Sequence, residues 1–454
     1  MKLYNTAAHE IQEFVPQDPK EVKVYTCGPT VYSYAHIGNL ASYTYWDLLM
    51  RTLKLNGFKV KRVLNITDVG HLVSDADDGE DKMEKGARRE GVTVWDIAQK
   101  YYDAFMKDFD LLGLIRPEEI CRATDYIEQD RAIVDALDKA GYLYDTTDGL
   151  YFDTSKFPRY AEFARLDLEN LRAGARVEFS DEKRNPSDFA VWKWVREGED
   201  HAMQWEYRGR MGYPGWHLEC STIIHERLGE PIDIHCGGID HIPIHHTNEI
   251  AQSEAAFGKK MCNVWMHCNY VTIEGQKISK SLGNVYNLSD LIERGYSPVD
   301  YKVWLYQGHY QAERDFTFEL LAAAHARLMN YRNFAALRWQ GVEQSDFADE
   351  QKEIMENLNS NLNSAGAFAV IDAVAKSGKA PSEKFLKFLD EAFGFELAAS
   401  TPDISGELKG KISARVAAKA ERDFATADRL RDEIADVGIE LLDSATEVRW
   451  RYKG

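Results

Sequence analysis

The sequence predicts an α/β fold: a parallel sheet flanked by helices, split by an insertion and followed by α-helical domains. Three observations carry this reading. A strand, turn, helix, strand succession stands near the start, strand-like patterns return only after a loosely patterned stretch, and helical periodicity is nearly continuous from Leu288 onward. At 454 residues the chain is too long for one core, and roughly 150 residues per domain suggests about three units.

The elements follow in order. Lys23–Thr26 reads as a short strand, Gly28-Pro29 breaks it, and Ala35–Leu55 is patterned as a long helix. Lys59–Ile66 (KVKRVLNI) alternates like a half-buried strand and completes a first βαβ unit. A helix is expected over Val94–Leu114 with Thr93 as its N-cap, its aromatics serving the core. From Arg122 to Tyr207 short elements alternate with loops, as an insertion into the sheet would. Strands resume at Pro231–His235 and Val264–Ile273. Beyond a linker at Pro402 and Gly406, apolar residues recur every three or four positions from Ile412 to Val437. Gly438 stands where a helix would end, so a small helical tail is expected. The expected divisions are 1–120 and 208–287 for the two halves of the sheet domain, with 121–207 as the insertion. A helical domain over 288–400 and a small C-terminal domain over 401–454 complete them.

Composition removes whole classes of function. Charged residues make up 28% and apolar ones 44%, which is ordinary globular usage. The net charge is −19, so a histone-like or polybasic membrane binder is excluded, although a local patch could still meet a polyanion. From Leu408 onward ten Lys/Arg face nine Asp/Glu, a relatively basic tail on an acidic chain. The start has no apolar run of the signal-peptide kind, and no stretch reaches membrane-spanning length. Six scattered cysteines without a CxxC pair suit a reducing compartment, so a cytoplasmic protein is expected.

Three constellations carry chemistry. His235, His241, His245, His246 and His267 crowd into a short stretch that also holds Cys236, Cys262 and Cys268. Within it His245 and Glu249 stand i,i+4 on a helical segment, so an imidazole and a carboxylate share one face and could share a zinc ion. Thiolates would complete such a site, and spacing does not say which cysteines supply them. The second is His36-Ile37-Gly38-Asn39 at a helix start, where free N–H groups suit phosphate and glycine permits close approach. The bland alternative is a capping histidine. The third is Lys277-Ile278-Ser279-Lys280-Ser281 between Gly275 and Gly283, a loop able to close over a triphosphate, or else merely a solvated charged turn.

HIGN near the front and KISKS far downstream resemble the paired signatures of class I aminoacyl-tRNA synthetases. The intervening YTCGPTVYSYAHIGN, NITDVGHL, LRAGARV, DEKRNPSDFAVWK, PGWHLECS, DIHCGGID, HHTNEIAQSE and KISKSLGN narrow the resemblance to the cysteinyl-tRNA synthetase family, from Tyr25 to the final VRWR. The resemblance implies a class I Rossmann-type catalytic domain and helical domains that contact tRNA. It implies one zinc per chain on Cys27, Cys220, His245 and Glu249, with Cys236 a packed thiol beside the site and His246 a supporting group. It places Cys27, Thr30 and Trp216 at the cysteine substrate, and His36, Gly38, Asn39, Asp240, Lys277 and Lys280 at ATP. Lys280, Lys277, His36 and Asn39 would be catalytic, and Mg²⁺ would accompany ATP. Asn39 and Ile278 depart from the HIGH and KMSKS patterns. Partners would be tRNA(Cys), ATP and L-cysteine, with no membrane and a monomeric state. The tail, through Val448-Arg449-Trp450-Arg451, would read the anticodon, Trp450 stacking on bases, or else Trp450 merely packs the tail helices. A cysteine ligase that charges an amino sugar, as in mycothiol synthesis, is the nearest rival, and such relatives lack the tail. A zinc hydrolase would leave HIGN and KISKS unexplained.

Overall fold

The computed structural model describes residues 1–69, 82–167, 182–196, 198, 201–443 and 448–453. The LRAGARV motif and the last three residues of NITDVGHL lie outside them. The chain forms two compact units. One comprises residues 1–272, 276–288 and 310–314; the other comprises 273–275, 289–309 and 315–454.

The first unit is built on a five-stranded parallel sheet. Its strands are β1 (Glu21–Thr26), β2 (Lys59–Ile66), β3 (Glu119–Arg122), β4 (Ile232–Gly238) and β5 (Cys262–Cys268), in the spatial order β5-β4-β1-β2-β3. Val22, Val24, Val63, Leu64, Ile232 and Ile234 are fully buried, as expected of parallel strands in the middle of a sheet. Helix α1 (Ile37–Leu55) follows β1, two residues shorter at its start than expected, because His36 is its cap. Helix α2 (Val94–Leu111) has the expected Thr93 cap, closed by Asp96 as a capping box, and ends three residues early. Helices α3 (Leu218–Arg227) and α4 (Thr247–Phe257) flank β4 in sequence.

Between β3 and β4 the chain makes a separate five-stranded antiparallel sheet from Leu143–Asp145, Gly149–Phe152, Phe189–Trp194, Arg210–Pro214 and Trp205–Tyr207. Phe152, Val191 and Trp192 of this sheet share a core with Leu218 of α3 and Ala251 of α4. One side of the site's helices is thereby held.

The second unit is mainly helical, with Phe318–Ala336, Ser364–Ala375 and Glu383–Phe393 packed around Tyr331, Phe368 and Phe393. Its tail corrects the sequence reading. Two helices, Gly406–Ala420 and Phe424–Asp436, are followed by an antiparallel pair, Ile439–Asp443 with Val448–Tyr452. Gly438 does terminate the second helix, at φ 80°. Trp450 is only 6% exposed and packs with Ala336, Ile404, Ile434 and Leu441, so it is no stacking platform for a base. Its backbone N–H also donates to Gln340 Oε1 at 3.0 Å. Trp450→Ala should lower unfolding stability by about 3–5 kcal/mol, the usual cost of emptying an aromatic core site. A shift under about 1 kcal/mol in urea titrations of the full chain would contradict this packing role.

Candidate active site

In the parallel sheet β2 and β4 lie on opposite sides of β1, so the chain changes direction between β1 and β4. Crevices at the carboxyl ends of such strands take ligands. A cavity of about 610 Å³ opens there, lined by Cys27 and the turn after β1 and by Gly237 and Gly238 at the end of β4. Gly28 is required by the turn, since a Cβ there would lie 1.6 Å from the Asn65 carbonyl oxygen. Its N–H donates to Asn65 Oδ1 at 2.7 Å, tying the turn to β2. Thr30, Trp216 and Asp240 line the same cavity.

His36, Gly38 and Asn39 line it at the start of α1. The His36 N–H donates to Asn39 Oδ1 at 3.1 Å, and the Asn39 N–H donates to His36 Nδ1 at 3.2 Å. The capping reading of HIGN is thus met: Asn39 completes a capping box, and Nδ1, as acceptor, leaves the ring proton on Nε2. Burial first, and the charge of Lys280 second, hold the His36 pKa down at about 4, so the ring is neutral at pH 7. A neutral N–H and the helix start together form an anion-receptive corner.

The KISKS loop is held by Asn284, whose Oδ1 accepts from the Ser279 N–H at 2.8 Å and whose Nδ2 donates to the Lys277 carbonyl at 3.1 Å. The Ile37 N–H donates to the Tyr286 carbonyl at 2.8 Å, so the loop's far end is pinned to α1. Ile278 seats over Gly38, where an added Cβ would come within 2.7 Å of its Cδ1. Glycine in HIGN is needed for that contact. Lys277 lines the cavity; Lys280 does not, standing exposed on the loop. Among the described residues neither ammonium has an ion-pair partner.

Below this, Cys27, Cys220, His245 and Glu249 are all buried and offer ligand atoms within 4.8 Å of one another. His245 belongs to a π-helical turn, Ile242–His246, that runs into α4, where Glu249 lies. Cys220 Sγ is 3.5 Å from His245 Nε2, which is 2.9 Å from Glu249 Oε1. That Oε1 is fully buried with the His245 nitrogen as its near neighbour, while Oε2 is taken by His235 Nε2 at 2.7 Å. A buried carboxylate oxygen beside two sulfurs and an imidazole nitrogen is a donor set that fits a soft, tetrahedral cation.

The four groups also set one another's protonation, and a cation there would have to displace the protons that His245 and Cys27 hold. Burial opposes a charge on Glu249, yet His235 and His245 hold its pKa at about 2. Burial likewise opposes the His245 imidazolium, but Glu249 and Cys220 push it up to about 10. Burial and the bond to Cys220 raise the Cys27 thiol well above its usual range. Cys220 is lowered against its own burial by Cys27 and His245. An overlapping set, Cys27, His235, His246 and Glu249, also comes within 4.8 Å. Only the first set presents three members, Cys27, Cys220 and His245, to the cavity, and only it has two sulfurs. Cys236 is buried in β4 and belongs to neither.

Residues 13–326 match the family described as tRNA synthetases class I (C) catalytic domain. A cysteine–tRNA ligase 1 of Burkholderia lata is 42% identical, covering 98% of this chain and 95% of the relative. A cysteine–tRNA ligase of Treponema denticola is 37% identical over 99% of each. The chain belongs to the cysteine–tRNA ligase family. A solved structure of Mycobacterium tuberculosis methionyl-tRNA synthetase with methionyl-adenylate covers 78% of this chain and 81% of its own at a TM-score of 0.59. At 15% identity that likeness speaks for the class I Rossmann-type fold alone. Among the described residues no helix is long and apolar enough to cross a membrane.

Sequence reasoning missed several residues at or beside the cavity. Tyr32, Tyr34, Tyr101 and Phe105 form one wall of the cavity. The last two had been assigned to the core because α2 is amphipathic, and that pattern is silent on which buried ring borders a cavity. His217, whose Nδ1 lies 3.0 Å from His245 Nδ1, also went unassigned, although it stands inside the quoted PGWHLECS.

Proposed function

We propose that the chain is a cysteine–tRNA ligase that activates L-cysteine with ATP and transfers it to the 3′ end of tRNA(Cys). The observation that carries this is kinship with cysteine–tRNA ligases along essentially the whole chain, tail included, joined to a cavity with two thiols at its floor. The rival that charges an amino sugar lacks that tail. In this reading Cys27, Cys220, His245 and Glu249 hold one zinc ion. Bound there, zinc lowers the pKa of a coordinated thiol, so cysteine is held as thiolate while a serine hydroxyl stays protonated and ligates poorly.

The remaining work falls to the chain. Thr30 and Trp216 bound the amino-acid subsite, the Trp216 ring standing 4.5 Å from that of His245. Asp240 meets the ribose of ATP, which enters as its Mg²⁺ complex. His36 donates from Nε2 to the phosphates beside the α1 start. Lys277 and Lys280 stabilise charge that develops on pyrophosphate as the cysteine carboxylate attacks the α-phosphorus. No protein nucleophile takes part. Anticodon reading by residues 401–454 falls to exposed groups such as Phe424, which is 60% exposed, rather than to Trp450. We assign the protein to the cytoplasm and to a monomeric state.

The test is ATP–pyrophosphate exchange with cysteine, with serine and without amino acid, followed by charging of tRNA(Cys). Cysteine-dependent exchange and charged tRNA are expected. Exchange with no charging, and cysteine transferred to an amino sugar instead, would overturn the reading in favour of its rival.

A further inference from the structure

Three buried hydrogen bonds run in series from the N-terminal strand, Lys2–Asn5, to the floor of the cavity. Thr6 Oγ1 lies 2.7 Å from His267 Nδ1, His267 Nε2 lies 2.8 Å from His246 Nδ1, and His246 Nε2 lies 3.3 Å from Cys27 Sγ. Thr6 is 6% exposed, His267 4% and His246 0%. The Thr6 N–H donates to the Trp265 carbonyl at 2.8 Å, which fixes the threonine against β5. Neither Thr6 nor His267 has a role in the chemistry above, and His246 enters only as a supporting group.

The contacts determine where the protons sit. Each contact holds one proton, and a neutral imidazole carries one N–H. A metal-bound Cys27 is a thiolate, which can only accept, so His246 donates from Nε2. Its Nδ1 must then accept, so His267 donates from Nε2. His267 Nδ1 must accept in turn, and the donor left to it is the Thr6 hydroxyl. One hydroxyl at the far end therefore satisfies the last acceptor of the chain and holds the His267 ring in place. Without it, the buried His267 Nδ1 has no donor. Reversing the rings would not satisfy it, since an N–H there would lack an acceptor. Instead the His267 ring loses one of the two bonds that hold it, and its grip on His246 Nδ1, and hence on the N–H that faces Cys27, loosens.

We propose that Thr6 is a positioning residue for the metal site, holding a His246 N–H on the Cys27 sulfur through His267. The inference rests on the zinc reading above. Groups that orient metal ligands from one bond away typically change metal affinity about 10–100-fold when lost, and the same range is expected here from two rings away.

The test compares Thr6→Val, which keeps the shape and loses the hydroxyl, with Thr6→Ser, which keeps the hydroxyl. Full-length proteins are loaded with zinc and titrated with a competing chelator. They are also loaded with cobalt, whose thiolate charge-transfer band reports the bond to sulfur. Thr6→Val should bind zinc about 10–100-fold more weakly and shift the cobalt band, while Thr6→Ser stays near wild type. Its melting temperature should fall further with zinc bound than without. Should Thr6→Val fail to fold, Thr6→Ala loses the same hydroxyl without the added methyl and carries the same expectation. Wild-type zinc affinity in the hydroxyl-free variant, with equal melting shifts in both forms, would make the network a packing feature and overturn the relay alone. A wild-type chain that holds no zinc would overturn the zinc reading itself.

Discussion

Serine should drive pyrophosphate exchange about 10⁴–10⁵-fold less efficiently than cysteine, compared as kcat/KM, without an editing step. The two amino acids differ by one atom of similar size, so shape alone cannot separate them. Steric discrimination of that kind is worth only about 10–200-fold. The floor of the cavity offers instead two sulfurs and an imidazole nitrogen, with a buried Glu249 oxygen 2.9 Å from that nitrogen. A site so built rewards a soft, ionisable side chain and leaves a hydroxyl poorly matched. Cys220→Ser should therefore lose zinc and cysteine activation together, and whatever exchange remains should discriminate by no more than roughly 10²-fold. A zinc-depleted enzyme that still prefers cysteine by 10⁴ would place selection in the protein walls and remove the ion from the account.

How far the sequence could lead is visible in particular residues. Lys59–Ile66 was legible to the residue because it alternates after a glycine turn, although in the sheet it is buried along most of its length rather than on one face. Thr93 was legible as a cap because Asp96 stands three positions on. His245 and Glu249 were legible as a pair because four residues along a helical path return to the same face. That the path begins as a π-turn changes the local winding but keeps the two groups 2.9 Å apart. Cys27 and Cys220 were not legible as partners from spacing. Cys27 ends a strand and Cys220 lies on a helix, and only the packing of that helix beneath the sheet joins them.

The tail was legible only in its first part. Three-and-four periodicity up to Val437, ended by Gly438, marks its helices, and the segment beyond, which a wholly helical tail leaves out, alternates with period two. Val448, Trp450 and Tyr452 share one face and pack inward, while Arg449 and Arg451 occupy the other. The alternation that makes Arg451 exposed is the one that buries Trp450. A tryptophan flanked by arginines reads as a nucleic-acid contact only if all three point the same way, which a strand forbids.

Lys280→Ala should slow cysteinyl-adenylate formation about 10²–10³-fold, the usual cost of removing one donor aimed at transition-state charge, with cysteine affinity little changed. The ammonium has no carboxylate partner among the described residues and stands exposed on a loop tied to the α1 start through Asn284 and Tyr286. Its charge is therefore uncommitted in the ground state, and it stands outside the cavity wall that Lys277 helps form. A group so placed acts when negative charge moves onto the leaving pyrophosphate rather than when the amino acid binds. The same substitution carries an independent readout at His36. Lys280 is the second cause, after burial, of that imidazole's low pKa of about 4. Removing a neighbouring positive charge favours the protonated ring, so the His36 titration should move upward in Lys280→Ala while staying below its ordinary range, because burial persists. Single-turnover rates and an NMR titration would read the two effects separately. If the rate held and cysteine affinity fell instead, Lys280 would be a ground-state binder. If the His36 titration did not move, the loop would stand farther from the helix start in solution than the geometry here requires.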